Sequence, residues 1–268
     1  MEKELVFENP SLFKRLKGML GVDFYRLFHT PLFYIFLLIA AIIPALVLMG
    51  GKDSTEGLFN NAWQIVASDS SIYVVSDIGQ YANMNMVFIF GGIMISIFIG
   101  HDYTSGYVKQ LFTTHAKKED YIISKSIVGA FSMMCMCLTY LIGGIVSALF
   151  TGLSFSVNPL SLVLAIIGKI IMSFGWASLY AFINIIFRKK FGISITLCFV
   201  LGTGIPVIGA AALLKNSKLL NIFLYGSSVN ACLSSNFITV IICLIVSLIW
   251  AIIYNLLGTI ILNKNDVY

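Results

Sequence analysis

The residues MNMVFIFGGIMISIFIG at positions 84–100, followed by HDYTSGYVKQLFTTHAKK at 101–118, decide how this chain is built. The first stretch carries no charge and, at about 1.5 Å per residue, comes close to crossing the roughly 30 Å hydrocarbon layer of a bilayer. The second is polar, yet Tyr103, Tyr107, Val108, Leu111 and Phe112 fall at i, i+4, i+5, i+8 and i+9, which gathers them on one helical face. An amphipathic helix over about 102–113 is predicted there, with Asp102 at its start suiting the helix dipole and Lys117 and Lys118 near a membrane surface. A membrane protein that carries such a helix commonly has something soluble to push against. Periodicity by itself equally allows an interfacial loop helix without a partner.

The rest of the chain fits that frame. Of its residues, 59% are hydrophobic and 11% charged, and the mean hydropathy is +0.94, the profile of an integral membrane protein rather than of a globular domain. Long apolar runs occur at 32–49, 84–100, 122–150, 162–187, 193–214 and 237–262. The expected fold is therefore all-α, a single transmembrane domain over 1–268 with six transmembrane helices, because backbone polar groups in lipid must be satisfied within each segment. That leaves no room for a soluble catalytic domain. Ahead of the first run, residues 11–28 read as an amphipathic helix lying in the inner interface, with Leu12, Leu16, Met19, Leu20, Phe24 and Leu27 at helical spacing and Lys14, Arg15 and Lys17 beside them. Thr30 is expected to cap the first span with Pro31 at its first position, and Pro44 to kink it.

Lys and Arg gather before the first run, around 109–125, at 188–190 and at Lys264, whereas the alternate connections hold only Lys52, Lys215 and Lys218. Both termini are predicted to be cytoplasmic on that bias. It also accounts for the net charge of +5, so no nucleic-acid partner is inferred. No cleavable signal peptide is expected, and the odd set of five cysteines argues against a structural disulfide within the chain. The long connection over 50–83 is net acidic, with short apolar pieces at 63–67 and 72–75 expected to rest on the outer surface; Leu219 to Tyr225 reads as re-entrant or interfacial.

Few polar groups lie inside the runs. Lys169 must snorkel, face a cavity or find a partner, and is a candidate substrate contact; no Asp or Glu falls within any predicted span to pair with it. Asn184 is expected to bond a neighbouring helix. In the run from Met133 to Cys137 only Met133 and Cys137 share a face, which favours core packing over a soft-metal site, and His29, His101 and His115 have no metal spacing. Gly91, Gly92, Gly143, Gly144, Gly202, Gly204 and Gly209 read as close helix contacts, with a mobile kink at Pro206 as the alternative.

The order Gly100-His101-Asp102-Tyr103-Thr104-Ser105-Gly106-Tyr107-Val108-Lys109-Gln110-Leu111, then Lys117-Lys118, Tyr121 and Ser124-Lys125, resembles the signature of ABC-2 type transporter permeases. The likeness extends to the interfacial helix, the six-span layout and the cytoplasmic termini. Asp102 stands where the family commonly has Glu, and Tyr107 where it often has a smaller residue. The resemblance implies the transmembrane subunit of an ABC exporter in the bacterial cytoplasmic membrane, paired with an identical or homologous permease. A separate ATP-binding cassette subunit would carry ATP and Mg, since this chain has no Gly-rich phosphate loop ending in Lys and Ser or Thr. Residues 103–112 would be the coupling helix, with Asp102, Tyr103, Gly106, Tyr107, Val108, Leu111 and Phe112 as coupling residues and the apolar face seated in a groove of the ATPase. Exchange of Tyr107 and Leu111 for Asp is then expected to uncouple the subunits. A charge-poor interior suits an apolar or amphipathic cargo, and small permeases of this family often serve antimicrobial-peptide efflux or bacteriocin immunity. Besides lipid, no other partner is implied. The alternatives are an ATPase-independent secondary transporter or channel, which would be expected to place carboxylates in the membrane, and an intramembrane enzyme, for which no catalytic set is found.

Overall fold

The computed structural model describes residues 11–50, 86–113, 116–151, 159–188, 190–213, 222–233 and 237–264. The acidic connection with its two apolar pieces, His115, and Lys215 and Lys218 lie outside the described residues. All described regular structure is helical: α1 (Leu12–His29), α2 (Pro31–Gly50), α3 (Met86–Thr104), α4 (Tyr107–Thr113), α5 (Lys118–Thr151), α6 (Pro159–Ile186), α7 (Phe191–Gly202), α8 (Ile205–Leu213), α9 (Leu224–Leu233) and α10 (Phe237–Lys264).

By length and composition α3, α5, α6 and α10 can cross a membrane, and a fifth crossing is counted if α1 and the first part of α2, bent by 65°, are taken as one. α2 begins at Pro31 with Thr30 immediately before it, as expected; the Thr30 hydroxyl donates to the Arg26 carbonyl at 2.7 Å at the end of α1. Pro44 lies inside α2. The outer faces of α2 and α10 expose Ile35, Leu38, Ile42, Ile245, Ile249 and Ile252, contiguous aliphatic surface of the kind that lipid covers.

The fifth apolar run departs from its predicted form. It is two helices, α7 and α8, parted at Thr203 and Gly204, where Gly204 has φ +71°. That left-handed conformation cannot propagate a right-handed helix, and the absent Cβ leaves room for the Tyr225 ring lying against it. Pro206 then sits in the first turn of α8, where its missing N–H costs nothing, so it begins a helix rather than kinking one. α9, from the stretch mixing Ser and Asn, folds back into the bundle: Tyr225, Ser227 and Ser228 are buried, and Trp250 of α10 donates to the Ile222 carbonyl at 2.7 Å.

Close helix approach explains several glycines. A Cβ at Gly91 would meet Met133 Cγ at 2.6 Å, one at Gly92 the Tyr180 ring at 2.8 Å, and one at Gly202 Ile89 Cγ1 at 2.8 Å. Gly209 has open space around it. At Gly143 the neighbour is the Ala41 backbone carbonyl, which cannot rotate away. Gly143→Ala is therefore expected to push α2 from α5 and destabilise the fold by about 1–3 kcal/mol, checked by thermal unfolding in detergent, whereas Gly209→Ala should leave the midpoint unchanged.

Polar side chains inside the bundle bond across helices. Asn184 donates to Ser96 Oγ at 3.0 Å and accepts from Ser194 Oγ at 2.5 Å, joining α6 to α3 and α7 as expected for it. Asn255 of α10 accepts from Ser126 at 2.9 Å and donates to Ser178 at 3.0 Å. Met133 and Met136 are fully buried in the core, in keeping with a packing role for the sulfur-rich run.

Candidate functional site: a charged platform beneath a short helix

One end of the bundle gathers α1, the end of α3, α4 and the start of α5. Its sequence there is rich in charge, and part of that charge is buried. Asp23, Asp102 and Lys125 are all within 2% of complete burial. Lys125 Nζ lies 2.6 Å from Asp23 Oδ1 and 2.7 Å from Asp102 Oδ2. Arg26 Nη2 pairs with Asp102 Oδ1, and Arg26 Nη1 stands 3.6 Å from Asp23 Oδ1. Two carboxylates thus meet two cations. The remaining carboxylate lone pairs are occupied by Ser124 Oγ, which donates to Asp23 Oδ2 at 2.7 Å, and by Tyr121 OH, which donates to Asp102 Oδ2 at 3.1 Å. Such satisfaction is what keeps a buried ionic group from being ruinous.

Aromatic rings close the site. The Arg26 guanidinium carbon is 4.4 Å from the Tyr107 ring centroid and 5.2 Å from that of Phe98, and Lys125 Nζ is 4.7 Å from Phe98 and 5.7 Å from Tyr107. Both cations therefore lie within cation–π range of a residue on α4. Burial acts most strongly on the Arg26 guanidinium and would lower its pKa, but the hydrogen bond and charge of Asp102 and the charge of Asp23 outweigh it, and the group is held above its ordinary value. Desolvation, then the Asp23 carboxylate, push the Tyr107 phenol up, against the opposing pull of Arg26. Tyr107 is neutral at physiological pH.

Two sequence expectations are corrected here. The helix predicted over 102–113 is not one element: α3 continues through Thr104, a turn follows at Ser105 and Gly106, and α4 begins at Tyr107. Gly106 has φ +75°, which halts α3, and its N–H closes the turn on the Tyr103 carbonyl at 3.4 Å. Asp102 consequently sits at the C-terminal end of α3, where the helix dipole disfavours a negative charge, and Arg26 and Lys125 supply the compensation. Secondly, the apolar face does not project outward. Val108 is buried with Tyr121, Ile122, Ile185 and Leu262, and Tyr103, Leu111 and Phe112 pack against that cluster. Phe112 meets Tyr121 edge-on at 5.8 Å. The surface that α4 and its turn leave exposed is polar: Thr104, Ser105, Lys109, Gln110 and Thr113.

Asp102, Tyr103, Tyr107, Val108, Leu111 and Phe112 are thus brought together. Lys169, half-buried in α6, is not part of this cluster. Asp23, Arg26 and Lys125 are the residues that the sequence reading did not assign to the site; Arg26 entered it only as a topology signal, and Lys125 as that and as the end of the family-like pattern. A second ion pair, Arg15 to Asp120 at 2.8 Å, fastens α1 to α5 again, and Lys118 Nζ donates to the Leu262 carbonyl at 2.6 Å at the end of α10. Among the described residues no group of three or more His, Cys, Asp and Glu side chains is placed to hold a metal.

The arrangement is a charge-balanced platform that ties a short helix with a polar outer face to α1 and to two long apolar helices. No curated protein matches the chain. The family model for the ABC-2 family transporter protein matches residues 20–205, from the middle of α1 to the start of α8. The chain belongs to that family, and is the transmembrane component of an ABC transporter that partners an ATP-binding cassette subunit.

Proposed function

We propose that this chain is a six-span permease with both termini in the cytoplasm, α4 being the coupling helix on which an ATP-binding subunit docks. Two such chains, identical or homologous, stand side by side in the bacterial cytoplasmic membrane. ATP and Mg are bound by the partner subunit, and this chain contributes no nucleotide site. The cargo is an apolar or amphipathic compound moved outward, with an antimicrobial peptide as the narrower reading.

The observation that carries this is the seating of α4 on the charged platform. A helix docked only on lipid would dissipate a push from below, whereas Tyr107 against Arg26 and Lys125 transmits it to α1, α3 and α5 together. Partner binding shifts the spans between two arrangements only by its difference in affinity for them, so a stiff link is what makes that difference felt. Tyr103, Val108, Leu111 and Phe112 form the base of the link, Gly106 its turn, and Lys109 and Gln110 its contact surface. The carboxylates Asp23 and Asp102 are each matched by cations, an arrangement suited to holding helices rather than to carrying a proton, which favours the ATP-driven reading over a secondary transporter.

Reversing the exposed charge tests the docking face. Lys109→Glu with Gln110→Glu is expected to lower recovery of the ATP-binding subunit on affinity purification roughly tenfold, about 1.4 kcal/mol, while the chain still inserts. Undiminished recovery would remove α4 as the docking element.

A further inference from the structure

A cavity of about 510 Å³ opens in the elbow between α1 and α2 and is backed by α3. Its lining divides by chemistry. Arg26, His29 and His101 stand on it, as do Leu32, Met94 and Ile97, and no carboxylate is among the described residues that line it. Several details make the polar part suited to an anion. Arg26 Nη2 is spent on Asp102 and Nη1 is buried 3.6 Å from Asp23 Oδ1, so Arg26 lines the cavity as a cation while the histidines offer the donors. The His29 ring is stacked on Tyr25 with centroids 3.9 Å apart, and its Nδ1 bonds the Tyr25 carbonyl at 2.8 Å. This fixes the imidazole and leaves Nε2 for a ligand, as a donor in the charged form. Carbonyls at the end of α3 would repel an anion, but they are occupied: Ser105 N–H donates to the His101 carbonyl at 2.9 Å and the Thr104 hydroxyl to that of Gly100 at 3.2 Å.

Depth identifies the occupant. α1 is an interfacial helix by pattern and the following helix turns from it by 65°, so the elbow lies at headgroup level while Leu32, Met94 and Ile97 belong to the apolar segments beside it. The geometry points to a site for one anionic phospholipid of the same leaflet, its phosphate at His29 and His101 beside Arg26 and the start of an acyl chain along Leu32, Met94 and Ile97. The volume lies in the range of pockets that enclose small ligands. A free phosphate would leave the aliphatic wall unused. Bound lipid would bear on the same Arg26 that holds Tyr107, and only this consequence, a dependence of coupling on leaflet composition, rests on the transport reading.

Native mass spectrometry of the purified chain tests the site without reference to transport. After exchange into nanodiscs containing equal phosphatidylglycerol and phosphatidylcholine, one phosphatidylglycerol per chain is expected to survive release. His29→Ala with His101→Ala, both exposed positions, should reduce that retention about tenfold, as should Ile97→Trp, which fills the apolar side. Lys14→Ala with Lys17→Ala, on the exposed start of α1, should not. Glycerol phosphate in excess should fail to displace the lipid; displacement would show a phosphate site rather than a lipid site and overturn the proposal. Equal retention by the double histidine variant and the native chain, or no preference over phosphatidylcholine, would overturn it as well. So would a photo-crosslinker at position 97 that captures a second copy of the chain instead of lipid.

Discussion

Replacing Lys125 with Met is expected to destabilise this protein by about 3–5 kcal/mol, the cost of leaving a buried charge without its partner. Lys125 is the centre of the platform, lying 2.6 Å from Asp23 and 2.7 Å from Asp102, with no solvent reaching its side chain. Its loss leaves two buried carboxylates facing Arg26 alone. The isosteric Met keeps the aliphatic packing, so the deficit is electrostatic. Adding Asp102→Asn removes the second charge, restores neutrality between Asp23 and Arg26, and should recover more than half of the lost stability. That non-additivity separates a charge network from a packing defect. Thermal unfolding in detergent reads both variants; an unchanged midpoint for Lys125→Met, or no recovery in the double variant, would refute the platform as the element that joins α1, α3 and α5.

Exchange of Tyr107 for Ala is expected to reduce ATP-driven transport by up to about a hundredfold, while the ATP-binding subunit remains attached. Coupling free energies between sites are typically about 1–3 kcal/mol, or roughly 5–150-fold, and the Tyr107 ring is the piece of α4 that lies over both cations, 4.4 Å from Arg26 and 5.7 Å from Lys125. The docking surface at Lys109 and Gln110 is untouched by the change. Tyr107→Phe keeps the ring face over both cations and should retain most of the activity. Transport measured against ATP hydrolysis in proteoliposomes distinguishes the outcomes: futile hydrolysis in the Ala variant is expected, and full coupling there would show that α4 transmits its push by another route. Exchange of Tyr107 and Leu111 for Asp acts on this same base of the helix, since both side chains are turned toward the protein.

The sequence made the membrane class and most helices legible because hydropathy is a local property. Runs at 122–150 and 237–262 became α5 and α10 with ends moved by a few residues. It failed where structure depends on backbone conformation or distant partners. The run at 193–214 carries no charge, and only Gly204 and Pro206, read as packing and a kink, marked the break between α7 and α8. Periodicity found which residues of α4 share a face, but not that the face turns inward, since an apolar stripe suits the protein's own Tyr121 and Leu262 as well as a partner's groove. Asp23 is a single acid in a basic helix, and Lys125 lies just inside an apolar run; each alone reads as a surface or topology signal. Their meeting depends on the bend after α1, which no window of sequence contains.

A photo-crosslinking amino acid placed in turn at positions 108 and 109, in native membranes, tests the central claim most directly. At position 109, on the exposed face, crosslinking to an ATP-binding subunit is predicted. At position 108, where Val108 is 1% exposed, the predicted products stay within the chain. Capture of the ATP-binding subunit from position 108 rather than 109, or of lipid alone from 109, would contradict the platform-seated coupling helix.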